Sequence, residues 1–243
     1  ADLAPLLAAH AISATVVVQA AETDAETDFL LGLAASTPWI AAVVGWTDLE
    51  APGAADRIAA LAGNPALVGL RPMLQDMADD DYILRSSVAP ALEAMQAAGL
   101  RLDALVRPRH LPRLVALRQR CPALPMVVDH GAKPGIAEGA LQPWATGLKA
   151  VAADGVTCCK LSGLVTEAGA DWTVERLRPF VDVILSAFGP ARVMWGSDWP
   201  VLTLAASYDG WREATDRLLD GLSAADHAAV LGGTAARFYG LEA

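Results

Sequence analysis

The chain has 243 residues, a formal net charge of −10 and a mean hydropathy of +0.35. This length fits one large α/β domain, since a single (β/α)8 barrel commonly has about 250 residues. The acidic excess argues against nucleic acids and anionic membrane surfaces as partners. No apolar run approaches the roughly 20 residues that a membrane-spanning helix needs, and no basic-then-apolar signal peptide opens the chain.

Short apolar strands alternate with longer amphipathic helices along the chain. A helix comes first, with Asp2 as its predicted N-cap and an apolar face formed by Leu3, Leu6 and Leu7. Seven strands are predicted, at residues 15–19, 41–46, 67–71, 102–106, 125–130, 157–161 and 192–195. Further helices are predicted near residues 25–35, 54–62, 111–120, 143–153, 174–188, 208–219 and 223–239, and one that ends near residue 98.

The predicted strands are apolar on both faces, as a parallel sheet covered on both sides requires. Strand starts recur every 23 to 35 residues, so each unit is one strand and one returning helix. This pattern predicts a single domain over residues 1–243 with the fold of a (β/α)8 TIM barrel. Because only seven strands are found after a leading helix, we expect either that the first strand of the barrel precedes Ala1 or that the barrel is an unusual one. A doubly wound open sheet is the alternative, but no Gly-rich phosphate loop follows the strand at residues 15–19.

Asp198 is the main candidate for a catalytic group. The apolar strand at residues 192–195 is broken by Gly196 and Ser197, and Asp198 then lies at the strand's C-terminal end before Trp199. An unpaired buried carboxylate is costly, so a carboxylate here is either partnered or functional. The C-terminal ends of strands are also where α/β folds place their chemistry.

His130 occupies the matching position after the strand at residues 125–130 and is followed by Gly131. In a barrel, His130 and Asp198 would point into the same opening. The other histidines, His10, His110 and His227, lie in or beside predicted helices and are interpreted as structural.

Several further side chains near strand ends are candidates for substrate binding. Arg71 either pairs with a structural carboxylate or binds a carboxylate or polar substrate. Lys160 either pairs with Asp129 or Asp198 or contacts substrate. Gln19, Trp46 and Trp199 are further candidates to line the opening, although tryptophan more often simply packs there.

Two other groups of residues favour structural roles. Arginines and a histidine at residues 107–120 form a basic cluster, interpreted as the solvated start and outer face of a helix. Cys121, Cys158 and Cys159 lack the CxxC spacing of a metal or redox pair, which favours reduced, packed thiols in a cytoplasmic protein.

Three motifs in order along the chain carry a family resemblance: the segments at residues 128–134, 159–164 and 195–200. Together with residues 44–46 and 105–112, they resemble the amidohydrolase superfamily, and most closely its branch of sugar-lactone and 2-pyrone-dicarboxylate lactonases. The resemblance implies a (β/α)8 barrel in which Asp198 is the general base that activates water. It also implies that His130 is either a metal ligand or a hydrogen-bond donor to the substrate carbonyl. The His-x-His pair that ends the family's first strand has no match in this sequence.

The resulting hypothesis is an enzyme that hydrolyses a small sugar-acid lactone. Asp198 would be the base, and His130 with Arg71 or Lys160 would stabilise the oxyanion. A divalent metal such as zinc, bound by His130 and Asp198, and catalysis without a metal both remain open. One alternative is a metal-dependent decarboxylase of an aromatic acid, and another is an inactive or binding remnant. The identity of the lactone and the oligomeric state are left open.

Overall fold

The computed structural model describes residues 2–241, and the strands and helices in this part of the chain alternate as predicted. The strands are β1 (Thr15–Val18), β2 (Ile40–Gly45), β3 (Leu67–Leu70), β4 (Arg101–Ala104), β5 (Met126–Val128), β6 (Cys158–Leu161) and β7 (Val193–Trp195). The α-helices are α1 (Leu3–Ala9), α2 (Asp24–Ser36), α3 (Ala54–Leu61), α4 (Ala89–Ala97), α5 (Leu111–Arg120), α6 (Trp144–Ala152), α7 (Leu164–Ala168), α8 (Val174–Phe188), α9 (Tyr208–Leu218), α10 (Ala224–Ala228) and α11 (Thr234–Tyr239).

The described residues form two compact units. The N-terminal unit comprises residues 12–127 and 239–241, and the C-terminal unit comprises residues 2–11 and 128–238. The sequence predicted a single domain, and that interpretation remains a prediction. No helix among residues 2–241 is long and apolar enough to cross a membrane.

The N-terminal unit is built on parallel strands that pair in chain order. β1 pairs with β2, β2 with β3 and β3 with β4, all in parallel. The amide of Leu102 in β4 donates to the carbonyl of Pro125, which precedes β5, over 2.9 Å. Val43 and Val44 of β2 are fully buried, as both faces of a covered parallel strand require.

Helix α2 shows how the local sequence sets an element's start. The hydroxyl of Thr23 accepts the Glu26 amide over 3.2 Å, which is the usual way to satisfy an unpaired donor at a helix N-terminus. The carboxylate of Glu26 accepts in turn from the amides of Ala20 and Ala21, in the turn that follows β1. The strand end and the helix start are therefore held by one short network.

The basic cluster at residues 107–120 is only partly solvated as predicted: Arg107, Arg109 and Arg120 are exposed, whereas His110 is buried. Its arginines are also paired. Arg107, Arg109 and Arg113 each form an ion pair with an aspartate of the segment between β3 and α4; their partners are Asp76, Asp80 and Asp81 respectively. Arg118 and Arg120 donate to the backbone carbonyls of Leu124 and Leu84. The cluster therefore ties the long segment after β3 to the start of α5.

In the C-terminal unit, β6 and β7 pair in parallel, with Leu161 beside Trp195 at their carboxyl ends. Side-chain hydroxyls cap the helices that follow: Thr173 caps α8, Ser207 caps α9 and Ser223 caps α10. Between the two strands, α8 presents a largely buried apolar face that includes Leu177, Val181 and Ile184.

Three local predictions were wrong. The strand predicted at residues 125–130 ends at Val128, because the backbone at Asp129–Ala132 forms a 3-10 turn with left-handed residues. The helix predicted at residues 223–239 is interrupted by a π-turn at Ala229–Gly233, where two glycines weaken the helix. Asp2 occupies the N-cap of α1, but its side chain makes no capping hydrogen bond.

Candidate active site

Asp198 follows β7 in a tight bend and has a left-handed backbone with φ +56°. Its carbonyl accepts the Leu202 amide over 2.8 Å, and the hydroxyl of Ser197 accepts the Trp199 amide over 3.3 Å. The Asp198 side chain is 17% exposed. The bend therefore fixes the backbone on both sides of a carboxylate that solvent can still reach.

His130 follows β5 in a bend of the same kind. Its φ is 51°, and Gly131, Ala132 and Lys133 are also left-handed. The imidazole Nδ1 lies 2.8 Å from the hydroxyl of Ser162, the first residue after β6. His130 is 8% exposed and Ser162 is 2% exposed, so this hydrogen bond is shielded from water.

The structure brings His130 and Asp198 together. Nε2 of His130 lies 3.7 Å from Oδ1 of Asp198, and the two residues follow different strands, β5 and β7, at the same ends. This separation is longer than a direct hydrogen bond. It is compatible with a reacting group that approaches both side chains, and catalytic hydrogen bonds are often long before substrate binds.

Two buried tryptophans donate hydrogen bonds to the backbone beside His130 and Asp198. The indole N–H of Trp144 in α6 donates to the carbonyl of Gly131 over 2.7 Å. The indole N–H of Trp211 in α9 donates to the carbonyl of Gly196 over 3.0 Å. Trp144 is 2% exposed and Trp211 is fully buried. Each catalytic candidate therefore has a rigid anchor within two residues along the chain.

Tyr208 supports the bend that carries Asp198. Its hydroxyl shares a hydrogen bond with Ser197, while burial raises the pKa of Tyr208 above its ordinary value and the Ser197 contact opposes that rise. The phenol is therefore protonated at neutral pH and serves as a neutral support. His10 from α1 packs against the same ring, with 5.3 Å between the ring centroids.

Lys160 pairs with Asp129, one of the two carboxylates that the sequence suggested as its partner. Its Nζ lies 2.8 Å from Oδ1 of Asp129, a fully buried carboxylate, while the lysine side chain is 12% exposed. Asp129 directly precedes His130, so this ion pair fixes the base of the histidine bend. A contact between Lys160 and substrate remains a prediction.

The remaining predicted binding residues lie mostly in the N-terminal unit. Gln19 and Arg71 bond reciprocally. The side-chain amide of Gln19 donates to the backbone carbonyl of Arg71 over 2.7 Å, and the Arg71 guanidinium donates to the backbone carbonyl of Gln19. The backbone of Trp46 bonds through both its amide and its carbonyl to the Thr27 hydroxyl. Trp199 follows Asp198 in the C-terminal unit and is partly exposed. Their contacts with substrate remain predictions.

The described residues supply an incomplete donor set for zinc. A zinc site usually needs three protein donors and an open position. His130 and Asp198 could provide two, but residues 2–241 contain no group of three or more His, Cys, Asp or Glu side chains arranged to hold a metal ion. The donors among residues 2–241 therefore do not by themselves fit a zinc site.

The chain matches known proteins over nearly its whole length. The amidohydrolase family model matches residues 1–241. The chain belongs to the amidohydrolase family. An L-fucono-1,5-lactonase from Burkholderia ambifaria is 45% identical over an alignment of 245 positions, which covers 99% of this chain and 84% of that protein.

Solved structures extend the similarity to the fold. The crystal structure of an amidohydrolase from Burkholderia multivorans with bound Zn has a TM-score of 0.92 and 44% identity, covering 99% of this chain and 88% of that one. This similarity confirms the predicted fold class, an α/β fold of the TIM-barrel type. The 5-carboxyvanillate decarboxylase from Sphingomonas paucimobilis is 17% identical with a TM-score of 0.69, covers 100% of this chain and 83% of that one, and shows the fold alone.

The residues that support the site were not predicted from the sequence. Ser162 and Gly163 lie inside a motif that carries the family resemblance, at residues 159–164, yet neither was predicted as a site residue. Trp144 and Trp211 carried no local signal, because a tryptophan in an amphipathic helix ordinarily indicates core packing. Gly163 was the available clue, because a glycine beside a strand can mark a place where another group approaches the backbone closely.

Proposed function

We propose that this protein is a lactonase that hydrolyses a sugar-acid lactone, with Asp198 as the base and His130 as the donor to the carbonyl oxygen. The observation that carries the proposal is the approach of His130 Nε2 to Asp198 Oδ1, at 3.7 Å, at the ends of two separate strands. The amidohydrolase family and the relative named L-fucono-1,5-lactonase support the substrate class. L-fucono-1,5-lactone is accordingly the first substrate to assay.

The chemistry needs only an activated water and a stabilised oxyanion. Asp198 takes a proton from water as the oxygen attacks the ring carbonyl carbon. His130 donates a hydrogen bond through Nε2–H to the carbonyl oxygen, where negative charge develops. The bond between the carbonyl carbon and the ring oxygen then breaks, and the proton held by Asp198 passes to the ring oxygen. The product is an open-chain hydroxy acid.

The reaction is tested by replacing Asp198 with Asn, which keeps the shape and removes the base. Hydrolysis of L-fucono-1,5-lactone and other aldonolactones is followed with a pH indicator, and the uncatalysed rate is subtracted. We expect Asp198→Asn to lower kcat by about 10²- to 10⁴-fold, the usual contribution of general base catalysis. Asp182→Asn on the exposed face of α8 is the matched control and should retain wild-type kcat. Wild-type turnover by Asp198→Asn would refute the assignment.

We also propose a place in carbohydrate catabolism, which the substrate class supports. A cytoplasmic location remains a prediction from the sequence. The decarboxylase alternative gains no support beyond the shared fold, because the decarboxylase compared is only 17% identical to this chain.

A further inference from the structure

Ser162 occupies the position between the two catalytic candidates. It follows β6, and its Oγ lies 2.8 Å from Nδ1 of His130. On its other side lies Gly196: a Cβ added at that glycine would come within 3.2 Å of the Ser162 Cβ. Gly196 is two residues before Asp198, so Ser162 bonds to one candidate and packs against the bend that carries the other.

The geometry selects one tautomer of His130. A neutral imidazole carries its proton on either Nδ1 or Nε2, and the hydroxyl of Ser162 is able to donate or accept. Nε2 faces a carboxylate oxygen of Asp198 at 3.7 Å, and an ionised carboxylate only accepts hydrogen bonds. A lone pair on Nε2 would face this negative charge, whereas an N–H there is attracted to it. The proton therefore belongs on Nε2, and Nδ1 accepts from Ser162.

We propose that Ser162 is a positioning residue that holds His130 as the Nε2–H tautomer. The hydroxyl donates to Nδ1, which keeps the ring proton on the nitrogen that faces Asp198. His130 is then ready to donate to a carbonyl oxygen beside that carboxylate. This inference rests on the proposed function for its catalytic consequence, but the tautomer itself is a property of the protein without substrate.

The hydroxyl and the tautomer are linked because Ser162 is 2% exposed and its hydrogen bond with Nδ1 is shielded from solvent. Turning the Ser162 hydroxyl to accept from a protonated Nδ1 would leave its own O–H buried without the acceptor that Nδ1 provides, a cost that favours the Nε2–H tautomer. In Ser162→Ala that preference is lost, and the carboxylate of Asp198 alone then favours Nε2–H. A ring with its proton on Nδ1 presents a lone pair to the substrate oxygen and cannot stabilise the oxyanion. Loss of one preorganised oxyanion donor costs about 10²- to 10³-fold in kcat.

The test combines three variants with two measurements. Ser162→Ala removes the hydroxyl and Ser162→Thr retains one. Thr157→Ala is the matched control, because Thr157 is also buried and directly precedes β6, at the end away from Ser162, where its hydroxyl bonds to Asp154 over 2.5 Å. Lactone hydrolysis gives kcat and KM. The ¹⁵N chemical shifts of the His130 ring nitrogens report the tautomer directly, and the chain has only four histidines to assign.

We expect the wild-type protein, Ser162→Thr and Thr157→Ala to show a protonated Nε2 and an unprotonated Nδ1. Ser162→Ala should shift part of the His130 population to the Nδ1–H tautomer and lower kcat by about 10- to 100-fold, as expected for partial loss of an oxyanion donor, with a smaller change in KM. A wild-type spectrum with the proton on Nδ1 would overturn the inference without any variant. Retention of both the Nε2–H tautomer and wild-type kcat by Ser162→Ala would overturn it as well. If the wild-type protein hydrolyses no lactone while Ser162→Ala alters the tautomer, the assignment of Ser162 stands and the proposed lactonase function fails.

Discussion

Replacing Gly163 with Ala should move the His130 ring directly. Gly163 has φ +66°, and a Cβ built on it would lie 2.8 Å from both Cγ and Nδ1 of His130. Favourable contacts between carbon atoms lie at about 3.5–4.0 Å, so the ring must retreat by about 0.7 Å or more. The Ser162 hydroxyl holds the same ring from the neighbouring position, so a retreat also strains that hydrogen bond.

The expected loss of stability has two parts. An alanine in left-handed backbone costs about 1–2 kcal/mol whatever surrounds it. Forcing an extra methyl group into a packed site adds about 1–3 kcal/mol. Gly139→Ala isolates the first part, because Gly139 has the same φ of +66° and a Cβ there would meet nothing within 4 Å. The difference in free energy of unfolding between the two variants therefore measures the contact with His130.

Urea unfolding gives both free energies, and lactone hydrolysis gives the effect on turnover. A misplacement of about 1 Å in a catalytic group can cost about 10²-fold, so we expect Gly163→Ala to lower kcat by about 10- to 100-fold. Gly139→Ala should keep wild-type kcat. If the two variants unfold with equal free energies and turn over equally, the packing of His130 against Gly163 has no part in holding the ring, and the reasoning fails.

Three further results are expected. Trp144→Phe removes the donor to the Gly131 carbonyl and should lower the free energy of unfolding in urea by at least about 1 kcal/mol, because the buried carbonyl is left without that bond. Burial lowers the pKa of His110 below its ordinary 6.5, so the unfolded chain binds more protons and stability should fall as pH drops through that value; His110→Gln should flatten this part of the unfolding curve against pH. A thiol reagent at about pH 8 should label Cys121 in the folded protein much faster than Cys158, because Cys121 is partly exposed whereas burial raises the pKa of the Cys158 thiol to about 11.

The strands and their order could be predicted because each is a short apolar run bounded by turn residues. All seven predicted strands occur in the described residues, with ends that differ by at most two positions. Asp198 and His130 could be predicted as candidates for the same reason, since a polar residue directly after a buried strand stands out. This signal is local, and it survives tertiary folding because burial on both faces dictates the apolar pattern.

The interactions that hold the site could not be predicted, because they join residues far apart in sequence. Ser162 is 32 positions from His130, and Trp211 is 15 positions from Gly196. The pairing of Arg109 with Asp80 spans 29 positions, and the acidic segment gave no sign of which arginines it would meet. Spacing predicts faces of helices and strands, but it does not predict which hydroxyl or indole reaches a given loop.

The same tertiary contacts explain why the site can hold an unfavourable backbone. His130 and Asp198 both have positive φ, which costs a residue with a side chain about 1–3 kcal/mol unless the surroundings determine it. The indole donors from α6 and α9 fix the carbonyls next to these bends, and each hydrogen bond contributes about 0.5–1.5 kcal/mol. The free energy that each of these hydrogen bonds contributes is therefore similar in size to the free-energy cost of the positive φ. It follows that the bends depend on the buried indole donors of α6 and α9 rather than on their own sequence, and that weakening one of these hydrogen bonds should release the backbone of the candidate site before it unfolds the protein.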